Sequence, residues 1–259
     1  MKKVYLDPGH GGTDSGAIGN GIKEKDIVLA VAKEVEAKLK KCNLDVRMSR
    51  TTDGYKTLEY RSTDANSWGA DCFVSIHANS ADATSAQGVE TYCYKFAYRP
   101  LADKVHGEII ASKTYTKDRG VKEGNFHVVR ETNMDACLVE LAFISNAEDA
   151  NLLKNKQDEF ATAIAKGICK YLGVTYVDDN QTPPGEGFAN GDYSGRKARV
   201  TADVLNVRWD RGTEYDVIGQ VKNGDIVNLQ YCLNGWISIE GFNGNKGLGY
   251  VSTTYLELL

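Results

Sequence analysis

Two histidines and a glutamate interrupt apolar segments of this sequence where hydrolytic chemistry can be assembled. His10 follows the strand-like run Lys3-Val4-Tyr5-Leu6, inside the turn Asp7-Pro8-Gly9-His10-Gly11-Gly12. His77 ends Phe73-Val74-Ser75-Ile76, and Glu140 breaks the otherwise apolar Cys137-Leu138-Val139-Glu140-Leu141-Ala142-Phe143. Glu24 opens a segment in which Ile27, Val28, Val31, Val35 and Leu39 recur at helical spacing. If the strands are parallel neighbours, the three strand residues emerge at one carboxyl edge, where open α/β sheets bind ligands. Glu24 then joins them from the start of its helix. Two imidazoles and a carboxylate suit zinc with a fourth position kept for water, whose pKa the metal lowers to about 7. A further carboxylate can take that water's proton and pass it to a leaving amine. Glu140 suits this role, because a lone carboxylate in a strand core is unfavourable unless it has a use.

Each residue taken singly has a plainer reading. A histidine at a strand end is commonly structural, and Glu24 can be a first-turn glutamate favoured by the helix dipole. Glu140 can be the buried partner of Arg130 or Arg61. The glycine-rich turn lacks the spacing and lysine of a P-loop. Their common edge is what favours a metal site. His127, in Asn125-Phe126-His127-Val128-Val129-Arg130, is either a substrate contact near the metal or a satisfied strand histidine. His106 sits mid-helix beside Glu108 and reads as a surface residue.

The elements that must hold these residues follow from periodicity. Strands are predicted at 3–6, 45–49, 72–77, 88–94 and 136–143, and helices from 24 and at 58–68, 100–114 and 157–172. Alternation of this kind predicts an α/β fold: an open, mostly parallel twisted sheet flanked by helices. After residue 174 the composition changes. Residues 175–195, with Asp-Asp-Asn-Gln-Thr-Pro-Pro-Gly-Glu-Gly, predict a linker, and 196–259 read as short β segments.

With 31 basic against 35 acidic residues, the formal net charge of −4 and the lack of a Lys/Arg block argue against nucleic-acid binding. No apolar stretch has the length of a membrane span, which predicts no membrane insertion. The apolar run at the N-terminus ends at Asp7, too short for a signal peptide, so synthesis in the cytoplasm is expected. The six cysteines lack the short spacings of zinc knuckles and redox motifs, and buried free thiols are expected.

Four ordered motifs carry a resemblance. They are Leu6-Asp7-Pro8-Gly9-His10-Gly11-Gly12, Gly21-Ile22-Lys23-Glu24-Lys25-Asp26, Ser75-Ile76-His77-Ala78-Asn79 and Val139-Glu140-Leu141-Ala142-Phe143-Ile144-Ser145-Asn146. With Ser49-Arg50-Thr51-Thr52-Asp53, Arg61 and Ala65-Asn66 between them, residues 2–174 resemble the type 3 N-acetylmuramoyl-L-alanine amidases. The resemblance implies one zinc ion held by His10, Glu24 and His77, catalysis by Glu140, and bacterial peptidoglycan as partner. The bond cut would be the linear amide between N-acetylmuramic acid and L-alanine. His127 and Arg61 are candidate substrate contacts. One departure is Asp135 after Asn133-Met134, where the family often has proline.

Residues 196–259 carry Val204-Leu205-Asn206-Val207-Arg208 and Leu248-Gly249-Tyr250-Val251, and resemble bacterial SH3-like domains, small all-β barrels. That implies cell-wall binding, with Trp209, Tyr231 and Tyr250 as candidate contacts and Trp236 in the core. The expected whole is an amidase catalytic domain (1–174), a linker (175–195) and a wall-binding domain (196–259). A phage endolysin, released to the wall after cytoplasmic synthesis, is the leading expectation. A bacterial autolysin and a zinc peptidase cutting within the stem peptide are the alternatives, as is a binding module without catalysis; the oligomeric state is left open.

Overall fold

The computed structural model describes residues 1–115, 117–177 and 187–259, and the chain divides into two compact units, Met1–Tyr176 and Val177–Leu259. The first unit opens with β1 (Lys3–Pro8), a short hairpin of β2 (Ile18–Gly19) and β3 (Ile22–Lys23), and α1 (Glu24–Lys41). There follow β4 (Asp45–Met48), α2 (Leu58–Trp68), β5 (Cys72–Asn79), β6 (Val89–Cys93), α3 (Pro100–Ala111) and β7 (Asp118–Glu123). The last elements are α4 (His127–Arg130), β8 (Ala136–Phe143), α5 (Ala147–Asn155) and α6 (Gln157–Leu172).

The six-stranded sheet has the order β4-β1-β5-β8-β6-β7. Its first four strands run parallel; β6 is antiparallel to β8, and β7 is parallel to β6. The mostly parallel α/β sheet expected from the sequence is therefore present. Strands buried on both faces read as continuous apolar runs, and β5 and β8 do so until their polar residues intervene. On one face Tyr5 stacks on Phe73 at 5.5 Å, and Ala65 of α2 and Val128 and Val129 of α4 complete the cluster. Helices α1, α6 and α3 pack side by side and cover the other face.

Helix α2 carries part of the site's support, and its ends are well defined. Thr57 Oγ1 accepts from the Tyr60 amide at 3.1 Å, and Gly69 closes the helix at φ 71°. The helix after Pro100 ends at Ala111, three residues before the expected 114. All six cysteines are buried free thiols. Among the described residues, no helix is long and apolar enough to cross a membrane.

The second unit is all antiparallel. Its strands are β9 (Gly191–Asp192), β10 (Lys197–Val200), β11 (Val204–Arg208), β12 (Val217–Lys222), β13 (Ile226–Leu233), β14 (Trp236–Ile239), β15 (Gly249–Ser252) and β16 (Leu256–Leu258). They pair in the order β12-β11-β15-β14-β13-β10-β16, with β9 on β13. The core gathers Val207, Leu229, Ile237, Ile239 and Val251. Part of the expected linker, 178–186, lies outside the described residues. Phe188 and Tyr193, also assigned to the linker, are buried in this core with rings 5.6 Å apart, so the unit's packing begins before residue 196. The unit needs those two aromatics to cover its apolar interior, which is why they are not solvated linker.

Candidate active site

The sheet register brings the chemistry together. Paired positions in neighbouring strands place side chains on the same face, and His77 of β5 pairs with Glu140 of β8. Pro8 pairs with Ile76, so His10, two residues beyond the end of β1, stands at the same carboxyl edge. Glu24 arrives as the first residue of α1. One donor atom from each of His10, Glu24 and His77 lies within 4.8 Å of the others, so the three are grouped closely enough to form one candidate metal site.

Glu24 Oε1 lies 3.1 Å from His10 Nε2 and 2.9 Å from His77 Nδ1, and it accepts from the Ala78 amide at 3.0 Å. Its Oε2 accepts from the Ala17 amide at 2.9 Å. His10 Nδ1 lies 2.9 Å from Asp14 Oδ2, which fixes the ring with Nε2 facing Glu24. A carboxylate behind a ligating imidazole is the usual way to orient it. Asp14 was not singled out from the sequence, although its place four residues after His10 was the available signal.

Burial and charge set unusual proton affinities here. Burial pulls His10 down, yet the carboxylates of Glu24 and Asp14 overcome it and hold the imidazole at about 9. Burial opposes ionisation of Glu24, but both histidines outweigh it and keep that carboxyl well below the usual range. Glu140 behaves oppositely. Burial, opposed by His77 and reinforced by the charges of Glu24 and Glu90, pushes its carboxyl up to about 7. Glu140 Oε2 is buried and has no hydrogen-bond partner among the described residues. The alternative partners are engaged elsewhere: Arg61 with Asp7 and Arg130 with Glu131.

The loop carrying His10 is clamped from beneath. Arg50 donates from Nε to Pro8 O at 3.0 Å and from Nη2 to Gly9 O at 2.7 Å. Arg61 donates to Pro8 O at 2.8 Å and His10 O at 2.7 Å, and its Nη1 meets Asp7 Oδ1 at 2.5 Å. His10 itself sits at φ 60°, a conformation disfavoured for a side-chain-bearing residue and held here by these bonds. The expectation that Arg61 contacts substrate is therefore corrected. It is 3% exposed, and its guanidinium is consumed by Asp7 and backbone carbonyls.

Other expectations change as well. His127 is not in a strand: it begins α4, and its Nε2 lies 3.2 Å from Ser62 Oγ of α2. That places it on the face of the sheet that carries His77 and Glu140, without joining their cluster. His106 is not a surface residue; it is buried, 3.0 Å from Thr91 Oγ1 and 2.8 Å from Asp118 Oδ1. In the second unit Trp236 is in the core, as expected. Tyr250 is buried too, at 1% exposure, with its hydroxyl on Asn245 O, and so is no surface contact. Trp209 and Tyr231 are exposed.

An α/β sheet with two imidazoles and two carboxylates gathered at its carboxyl edge is equipped for hydrolysis. Residues 4–170 match the family model described as N-acetylmuramoyl-L-alanine amidase, and 203–257 match the bacterial SH3 domain. The chain belongs to the N-acetylmuramoyl-L-alanine amidase family. It is 41% identical over 210 residues to the sporulation-specific N-acetylmuramoyl-L-alanine amidase of Bacillus subtilis, covering 79% of each chain. It is 40% identical over 197 residues to the endolysin of Bacillus phage SPP1, covering 71% of each. The solved catalytic domain of CwlV, an N-acetylmuramoyl-L-alanine amidase from Bacillus (Paenibacillus) polymyxa var. colistinus, superposes with a TM-score of 0.65 at 40% identity. The match covers 68% of this chain and 100% of that one. The peptidoglycan-hydrolase reading of the sequence holds.

Proposed function

We propose that His10, Glu24 and His77 hold one zinc ion and that Glu140 is the acid/base of an N-acetylmuramoyl-L-alanine amidase. The donor set fits the metal, since two imidazoles and a carboxylate leave a position free for water or substrate. When bound, zinc supplies Lewis-acid polarisation of the scissile carbonyl and activation of water. Glu140 takes a proton from the attacking water and returns it to the departing L-alanine nitrogen, which is a poor leaving group unless protonated. Asp14 holds the His10 ring, and Arg50 and Arg61 hold the backbone of the loop that carries it. The observation that carries the reading is the register pairing of His77 with Glu140, whose buried Oε2 has no hydrogen-bond partner among the described residues.

Metal analysis tests the ligand set. The purified protein is expected to bind one equivalent of zinc, to lose wall-lytic activity in EDTA and to regain it with zinc. Glu24→Gln and His77→Ala should each lower the zinc content. Full activity in the metal-free protein would refute the proposal.

The second unit is assigned to wall binding, with Trp209 and Tyr231 as its exposed aromatic contacts. For the whole chain the endolysin role is supported by the buried free thiols, which suit cytoplasmic synthesis, and by similarity to the phage protein. The autolysin role is the second reading, favoured by similarity to the sporulation amidase. Appearance of the protein only late after phage induction supports the first, and its appearance during host growth or sporulation supports the second.

A further inference from the structure

A cationic pair stands on the site's face of the sheet, and the hydrolytic step does not use it. Glu90 of β6 pairs with Glu140 of β8, and Lys122 of β7 pairs with Tyr92 of β6, two residues along from Glu90. His77, Glu140, Glu90 and Lys122 thus share one face across four adjacent strands. Glu90 is buried at 3% exposure and fully engaged. Its Oε1 accepts from Asn79 Nδ2 at 2.6 Å and from the Tyr92 hydroxyl at 2.8 Å. Its Oε2 accepts from Arg119 Nε at 2.7 Å and from the Lys122 ammonium.

The two cations keep accessible surface, with Arg119 at 40% and Lys122 at 37% side-chain exposure. Arg119 spends only its Nε on Glu90, and its two terminal nitrogens have no hydrogen-bond acceptor among the described residues. Its aliphatic stem lies over Gly88, where a Cβ would stand 2.5 Å from Arg119 Cδ, and its guanidinium lies 5.0 Å from the Phe143 ring. One buried carboxylate therefore holds two cations in place, and their combined charge exceeds its own by one.

We infer that Arg119 and Lys122 form a subsite for a free carboxylate on the stem peptide of the substrate, with Glu90 as the positioning residue. The inference rests on the amidase reading above. Two strand spacings separate β8 from β7, about 10 Å. An extended peptide advances about 3.3–3.6 Å per residue, so that span reaches the second or third residue beyond the scissile bond. A stem residue that has two carboxyl groups and uses only one in the chain keeps a free carboxylate at such a position, and amidation would mask it as a carboxamide. A fork-shaped guanidinium beside an ammonium recognises the acid and has no charge to pair with in the amide.

The test compares two soluble muramyl peptides that differ only in whether the second stem residue carries a carboxylate or a carboxamide. The zinc-loaded protein is expected to cut the acid with a kcat/KM at least about tenfold higher, mostly through KM. In Arg119→Met and Lys122→Met that ratio should fall towards one, and Arg119→Lys should restore part of it. Thermal unfolding of each variant verifies that it is folded. A ratio near one in the wild-type protein would overturn the subsite, as would an undiminished ratio in both methionine variants. If the wild-type protein cut neither peptide, the amidase reading itself would fail, and the subsite with it.

Discussion

At Gly9 a Cβ would stand 2.2 Å from His77 Cε1, and at Gly16 it would stand 2.6 Å from Glu24 Oε2. The glycines around His10 thus allow the loop and the side chains of His77 and Glu24 to occupy the same small space. The motif residues His10, Glu24, His77 and Glu140 were legible in the sequence because each breaks an apolar pattern or opens one. Asp14 and Glu90 were not, because an acidic residue in a loop or a short strand looks like ordinary surface until its partners are known. Arg61 misled for the same reason: a charged residue in a helix gives no sign that it is 3% exposed beneath the loop. Its burial leads to a prediction. Arg61→Met leaves Asp7 without its cation, and should destabilise the first unit by about 3–5 kcal/mol, read by denaturant unfolding. A substrate contact would instead raise KM and leave stability unchanged. A second prediction follows from His10, which burial disfavours as a cation but which Glu24 and Asp14 hold protonated up to about 9. Metal binding must displace that proton. Zinc affinity should therefore rise with pH between 6 and 8, by up to about tenfold per unit for each proton released. Competition titration against a chelator of known affinity measures it, and a pH-independent affinity would contradict the assignment.

Elements differ in how plainly the sequence announces them. Helices α2 and α6 appear at their expected bounds because Thr57, Gly69 and Gly173 mark ends around strong periodicity. Strand β7 was missed: Asp-Arg-Gly-Val-Lys-Glu at a sheet edge has no apolar alternation to read. Helix α5 was missed because it is short and is set by a cap, with Asn146 Oδ1 accepting from the Glu148 and Asp149 amides. The antiparallel β6 and the polar β7 are what bring Glu90, Arg119 and Lys122 beside Glu140. Burial alone would raise the Glu90 carboxyl, but Lys122, Arg119 and Tyr92 hold it at about 2, against an ordinary 4.5. A carboxyl depressed on folding stabilises the fold above its unfolded pKa and stops doing so as pH falls through its folded one. Glu90 should thus stabilise this edge of the sheet above pH 4.5 and lose that contribution between about 4.5 and 2. Acid unfolding of the wild-type protein should be steeper in that window than that of Glu90→Gln, and equal slopes would contradict the pairing.

For the whole molecule, the two units answer to two family models, 4–170 and 203–257. The boundary between composition types was legible, but the start of the second unit's packing was not. Phe188 and Tyr193 lie among Gly, Asn and Asp, and only the fold shows that they cover its core. The solved CwlV catalytic domain is matched over its full length by 68% of this chain, an extent close to that of the first unit, and independent folding of that unit is the expectation. Removal of residues 178–259 should leave hydrolysis of a soluble muramyl peptide within about twofold and weaken sedimentation with purified walls. Unchanged wall binding would refute the role given to the second unit.

In the proposed site His10, Glu24 and His77 hold the metal and Glu140 moves the proton in cleavage of the muramoyl–alanine amide. Mass spectrometry of purified peptidoglycan digested by the zinc-loaded protein tests it most directly. Intact stem peptides with free L-alanine amino termini are predicted, and Glu140→Gln should still bind one zinc while releasing at least about a hundredfold less product. Cuts inside the stem peptide, or release by Glu140→Gln at the wild-type rate, would contradict the account.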